Sequence, residues 1–90
     1  MRRRCHLTLQ GDVQGVGLRW SCRSRAWWHG LGGWVRNDTQ GTVSLEIEGS
    51  EQMVNRFIDW LRQNPDYARI DKLTVEEQEP KGEKQFKVIV

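Results

Sequence analysis

Between Arg3 and Gln10 the chain alternates strictly, with Cys5, Leu7 and Leu9 on one side and His6, Thr8 and Gln10 on the other. A period of two marks a strand with one buried and one wet face. It constrains the fold because the pattern returns further along, interrupted by stretches of helical spacing. Leu18, Cys22, Ala26 and His29 recur at such spacing up to Gly30, which predicts a helix over 19–30 ended by a left-handed glycine. Gly33 to Asn37 reads as a second strand and Thr42 to Glu48 as a third, with Val43, Leu45 and Ile47 set against Thr42, Ser44, Glu46 and Glu48. Asp38-Thr39-Gln40-Gly41 between them has the composition of a hairpin loop.

Ser50 is placed to cap a second helix, whose apolar stripe is Met53, Val54, Phe57, Ile58 and Leu61 and whose end is Asn64-Pro65-Asp66. A fourth strand is expected near Ile70–Glu77 with Leu73 and Val75 inward, and a last one near Gln85–Val90 with Phe86 and Val88 inward. Glu79-Pro80-Lys81-Gly82-Glu83 reads as a polar turn joining them. Strand, helix, strand, strand, helix, strand and a terminal fifth strand make an α+β, ferredoxin-like split βαβ sandwich: an antiparallel sheet with two helices on one face. Residues 1–90 are expected to form a single domain.

A net charge of +2 from 14 basic and 12 acidic residues is too small for a dedicated nucleic-acid binder. The run Arg2-Arg3-Arg4 is read as a solvated terminus. No apolar stretch approaches the length of about 18 residues that spans a membrane, so the expectation is a cytoplasmic protein, monomeric, with no membrane partner. Cys5 and Cys22 are too few for a disulfide framework and are read as reduced thiols. Neither they nor the distant His6 and His29 form a metal pattern, so no metal or cofactor is expected. Catalytic use of His6, Cys22 or His29 is not supported by any nucleophile–base spacing. The five tryptophans are assigned to core and edge packing, although Trp27 and Trp28 cannot share one helix face.

The richest chemistry lies in Gly11-Asp12-Val13-Gln14-Gly15-Val16-Gly17-Leu18-Arg19, three glycines and an arginine between a strand and a helix. Glycine permits a sharp turn and close approach of backbone N–H groups to an oxyanion, and a helix start adds partial positive charge. Arg19 adds a fixed charge whose planar fork matches phosphate oxygens. From these residues alone, two readings fit: an anion site, or an ordinary structured turn.

This segment resembles the acylphosphatase signature, which runs glycine, any residue, Val-Gln-Gly-Val, any residue, phenylalanine or methionine, arginine. Leu18 departs from it, an apolar exchange expected to alter packing under the loop. A second family pattern is similar to Gly33-Trp34-Val35-Arg36-Asn37, followed by Gly41, Val43 and Gly49. The resemblance covers essentially the whole chain. It implies hydrolysis of a small-molecule acyl phosphate to a carboxylate and inorganic phosphate, without a metal. Arg19 and the N–H groups of Gln14, Gly15, Val16, Gly17 and Leu18 would hold the phosphate, and Asn37 would hold the attacking water. An amide suits that task because its carbonyl accepts while its NH2 donates.

Asp12 stands where the family often has a basic residue; a carboxylate there opposes an anionic substrate unless it points to solvent. Arg23, Arg25 and Arg36 either widen the positive field or are solvated surface residues. Two other functions are weighed: a binding module of the same fold, and a unit serving a larger carbamoyl-transfer system. The first leaves Arg19 and Asn37 unexplained, and the free-standing length argues against the second.

Overall fold

The computed structural model describes residues 1–65 and 67–90. Seven elements follow in the order β1 (Arg2–Asp12), α1 (Leu18–Trp28), β2 (Gly32–Asn37), β3 (Val43–Ser50), α2 (Glu51–Leu61), β4 (Arg69–Gln78) and β5 (Phe86–Ile89). They build a ferredoxin-like sandwich, one five-stranded sheet ordered β4-β1-β3-β2-β5 with both helices on one face. Asp66, in the triplet expected to end α2, lies outside the described residues; Asn64 there takes a left-handed φ of 52°.

The period-two pattern sets the register. Leu7 pairs with Leu45 and Val75, and Cys5 with Ile47, while Val35 pairs with Leu45 and Val88. Every one of these side chains lies on the helix-bearing face, because residues opposite one another in a ladder share a face. Cys5, Leu7, Leu9, Val35, Val43, Leu45 and Ile47 are fully buried there. From α2 they meet Val54, Phe57, Ile58 and Leu61, each contributing roughly 1.5–3 kcal/mol by burial. Ser50 caps this helix as its sequence requires, its Oγ accepting from the Met53 N–H at 3.3 Å. The narrower stripe of α1 buries Leu18, Cys22 and Ala26, and Gly30, at φ 67°, turns the chain out of it.

Three expectations need correction. The sheet is not wholly antiparallel: β5 pairs with β2 in parallel. With β4 and β5 at opposite edges, the segment 79–85 is no tight turn. It must cross about four strand spacings of ~4.8 Å each, within reach of seven extended residues at roughly 3.3 Å apiece. The second correction concerns Arg2-Arg3-Arg4, which is not a solvated run. Arg4 is 1% exposed; its guanidinium meets Glu46 at 2.7 Å, Glu48 at 2.9 Å and Glu83 at 2.6 Å. Arg2 joins Glu48, and Arg3 joins Glu77 and Asn55. Alternation places Arg4, Glu46 and Glu48 on the face away from the helices, where the crossing segment covers Arg4 and Glu48.

Glu48 anchors that strap. Its carboxylate accepts the Lys81 and Gly82 N–H groups, each at 2.8 Å. Burial alone would raise its pKa, but these bonds together with Arg4 and Arg2 hold it down at about 2. The strap passes so close to β2 that a Cβ on Gly32 would lie 2.3 Å from the Glu83 carbonyl oxygen, so only glycine fits.

The third correction concerns three of the tryptophans: Trp60 packs against the core as expected, but the three on α1 do not. Trp20, Trp27 and Trp28 are 55%, 75% and 81% exposed. The buried stripe of α1 is only three residues wide in sequence terms, Leu18, Cys22 and Ala26, and an 11-residue helix has no other buried face to offer them. Cys5 and Cys22 are both buried, and burial pushes the Cys5 thiol up to about 11.

Candidate active site

A cleft of about 190 Å³ opens where β1 gives way to α1, lined by Val13, Gly15, Gly17, Leu18, Arg19, Trp20 and Asn37. Two left-handed glycines shape it: Gly15 at φ 76° and Gly17 at φ 75°. Gly17 is the N-cap of α1, and the first turn of that helix carries no acidic residue. The partial positive charge of the helix start therefore meets no carboxylate of its own first turn. Leu18, the departure from the family pattern, is buried beneath the loop.

Arg19 and Asn37 arrive from opposite sides. Asn37 pairs with Val43, in register with the buried Val35 and Leu45, so it stands on the helix-bearing face at the end of β2 where α1 begins. Arg19, in the first turn of α1, donates from Nη1 to the Ile89 carbonyl oxygen at 3.1 Å. That bond ties its guanidinium to the end of β5.

The sequence reading missed what joins the glycine loop to the hairpin. Gln14 Nε2 donates to two backbone carbonyls, Asp38 at 2.8 Å and Thr42 at 2.9 Å. Asp38 in turn accepts from Thr42 Oγ1 at 2.7 Å, Ser44 Oγ at 2.6 Å and Arg36 Nε at 3.1 Å. Burial would raise the Asp38 carboxyl; the bonds from Ser44, Thr42 and Arg36 outweigh it and hold it below the usual carboxylate range. The Asp38 N–H also bonds the Thr42 carbonyl at 2.8 Å. The hairpin beside Asn37 is thus locked internally, and Gln14 fastens the loop to it. Asp38 followed by Thr42 and Ser44 was the available signal, since an aspartate at a hairpin start commonly bonds within its own turn.

Other candidates fall outside the cleft. Asp12 is exposed and pairs across the ladder with Arg69, whose raised pKa it supports behind the Asp71 bond. Arg23 stacks over Trp27, Arg25 over Trp60 and Arg36 over Trp34. His6 bonds Glu46 at 2.9 Å and meets Trp34 edge-on. Burial, followed by the charges of Arg25 and Arg56, lowers the pKa of His29.

Fold and cleft together define a class: small ferredoxin-like α+β proteins with a glycine-turned helix start facing the end of a central hairpin. Within it, the acylphosphatase family model matches residues 5–88, and the chain belongs to the acylphosphatase family, as a hydrolase. An acylphosphatase of Thermococcus kodakarensis is 46% identical over 88 residues, covering 98% of this chain and 97% of that one. The crystal structure of the Bacillus subtilis acylphosphatase superposes with a TM-score of 0.93 at 26% identity, over 100% of both chains. HypF of T. kodakarensis matches with a TM-score of 0.84 at 32% identity, over 98% of this chain but 12% of its own.

Proposed function

We propose that the protein hydrolyses acyl phosphates to a carboxylate and inorganic phosphate by metal-independent attack of water. Arg19 binds the phosphoryl oxygens bidentately, and the N–H groups of Gln14, Gly15, Val16, Gly17 and Leu18 complete the cradle. Asn37 orients the water, its carbonyl accepting a hydrogen bond from it while its NH2 donates, which fixes the water's orientation. Phosphoryl transfer spreads charge over the equatorial oxygens, so a preorganised guanidinium and amide cradle stabilises the transition state without reorganising. A carboxylate leaves readily, so no nucleophile, base or strong acid is required from the protein. One observation carries the reading: Arg19 and Asn37, from two separate motifs, line one cleft at the start of α1.

Residues 1–90 act in this proposal as one monomeric domain in the cytoplasm, where the buried thiols of Cys5 and Cys22 stay reduced. The match to HypF favours a second reading, in which such a unit serves a larger enzyme. Purified protein with acetyl phosphate and chelator present throughout separates the two. Phosphate release by the chain alone is expected; none above an Arg19→Ala control refutes the stand-alone hydrolase.

A further inference from the structure

Helix α1 reads Leu18-Arg19-Trp20-Ser21-Cys22-Arg23-Ser24-Arg25-Ala26-Trp27-Trp28, three arginines and three tryptophans without a carboxylate in 11 residues. Successive residues turn about 100° around a helix. With Leu18, Cys22 and Ala26 buried against the sheet, the outward side falls to Trp20, Ser24 and Trp27, flanked by Arg23 and Trp28. Trp27 and Trp28, about 100° apart, stand on either side of Ser24. All three rings are wet: Trp20 is 55% exposed, Trp27 75% and Trp28 81%. Arg23 lies 5.6 Å over Trp27, and among the described residues no carboxylate pairs with Arg23 or Arg25.

The basic character continues onto α2. His29 at the end of α1 has its pKa lowered by burial and then by the charges of Arg25 and Arg56, so these two cations stand close to the same helix end. The net charge of +2 conceals the asymmetry. Helix α1 packs over β2 and β5, whereas Asp71, Glu76 and Glu77 lie on β4 at the other edge of the sheet. Indoles left in water are costly, and their neighbours indicate what covers them. A second copy seated here would set arginines against arginines. The apolar part of the outward side is indole alone, the group that settles at a membrane–water boundary with its body apolar and its N–H wet, and unopposed arginines fit anionic headgroups. The expectation of no membrane partner rests on the missing spanning segment, which a helix lying flat does not need.

We propose that the outer side of α1 docks on an anionic phospholipid surface, with Trp20, Trp27 and Trp28 at the headgroup boundary and Arg23 and Arg25 on the lipid phosphates. The inference is independent of the chemistry in the cleft. Vesicles of phosphatidylglycerol and phosphatidylcholine in equal parts, and of phosphatidylcholine alone, test it by sedimentation with the full chain. Binding to the mixed vesicles is expected, with a blue shift of tryptophan emission and a loss at high salt; binding to phosphatidylcholine alone should be about tenfold weaker or less. Trp27→Ala should weaken binding to the mixed vesicles about tenfold, and Trp27→Phe by less. Arg23→Gln should weaken it about fivefold at low salt. Both residues are exposed and neither lines the cleft, so the urea midpoint should stay unchanged in each variant. No binding to the mixed vesicles, or binding untouched by Trp27→Ala and Arg23→Gln, overturns the docking surface. Preference for a single-stranded oligonucleotide over the vesicles at equal salt also overturns it, and would make the tryptophans a stacking platform for bases.

Discussion

Replacing Gln14 by glutamate keeps the side chain's shape and exchanges a double donor for an acceptor. Gln14 Nε2 bonds the carbonyls of Asp38 and Thr42 at 2.8 and 2.9 Å, so the variant sets a carboxylate oxygen against two carbonyl oxygens. Each lost bond is worth about 1 kcal/mol net, and the repulsion adds a similar amount, although each carbonyl keeps a backbone donor, Gly41 N–H on Asp38 and Asp38 N–H on Thr42. The expected loss is roughly 2–4 kcal/mol, a large share of the ~5–15 kcal/mol that holds a domain together. Gln14→Ala removes the bonds without repulsion and should lose about 1–2 kcal/mol. Turnover should suffer more than stability suggests, because Asn37 adjoins Asp38. A shift of about 1 Å between loop and hairpin is enough to cost ~10²-fold in kcat. Urea unfolding at neutral pH gives the first quantity, and acetyl phosphate turnover with inorganic phosphate inhibition gives the second. A glutamate variant as stable as the alanine one, or one with wild-type kcat, refutes the assigned staple.

Asn37→Ala should cut kcat by roughly 10²–10³, the usual scale for one positioned transition-state partner, with phosphate inhibition nearly unchanged; a parallel collapse of phosphate affinity would move Asn37 into the anion cradle. Arg19→Ala should abolish turnover and phosphate binding, and Arg19→Lys should not fully rescue either, since lysine cannot hold two oxygens in one plane; calorimetry with inorganic phosphate decides. The Glu48 carboxyl falls from 4.5 to about 2 on folding, a depression worth on the order of 3 kcal/mol. Being depressed, it stabilises fully above the unfolded value and loses that contribution as pH falls from about 4.5 towards 2. Glu48→Gln should therefore be less stable at pH 7 and show a shallower acid loss in urea midpoints; parallel profiles would refute the role given to the strap.

The fold was legible wherever apolar residues kept to one face. In β1 and β3 each inward residue is apolar and most outward ones polar, so period and face could be read together; α2 announced itself by a wide stripe and a serine cap. Strand β4 kept its bounds to within a residue although Leu73 and Val75 are only partly buried, as befits an edge. What stayed hidden was pairing. Phe86 and Val88 alternate equally well beside any edge, so their pattern cannot say that β5 lies parallel to β2. Nor does a run of three arginines disclose that Arg4 will be roofed by residues almost eighty positions later. That Gly15, Gly17, Arg19 and Asn37 line one cleft matches an expectation drawn from residue type alone. The side-chain roles of Gln14 and Asp38 were not legible, since they depend on which atoms the fold brings opposite them.

The hidden parts are what join the legible ones. A glycine-rich loop alone is pliable, because the residue type that permits left-handed turns also loses most entropy when fixed. In this protein the loop is held at one end by Gln14 on the hairpin carbonyls and at the other by Arg19 on Ile89 of β5. Asp38 holds the hairpin through three side chains, and the strap that leads to β5, itself paired with β2, crosses the sheet on Glu48. A charge buried on the face away from the helices therefore bears on the orientation of the guanidinium on the opposite face. The path from Glu48 runs through the strap to β5 and then to Arg19, by covalent chain and one hydrogen bond. Loosening the strap should accordingly reach phosphate affinity before it reaches Asn37, whose hairpin is fixed independently.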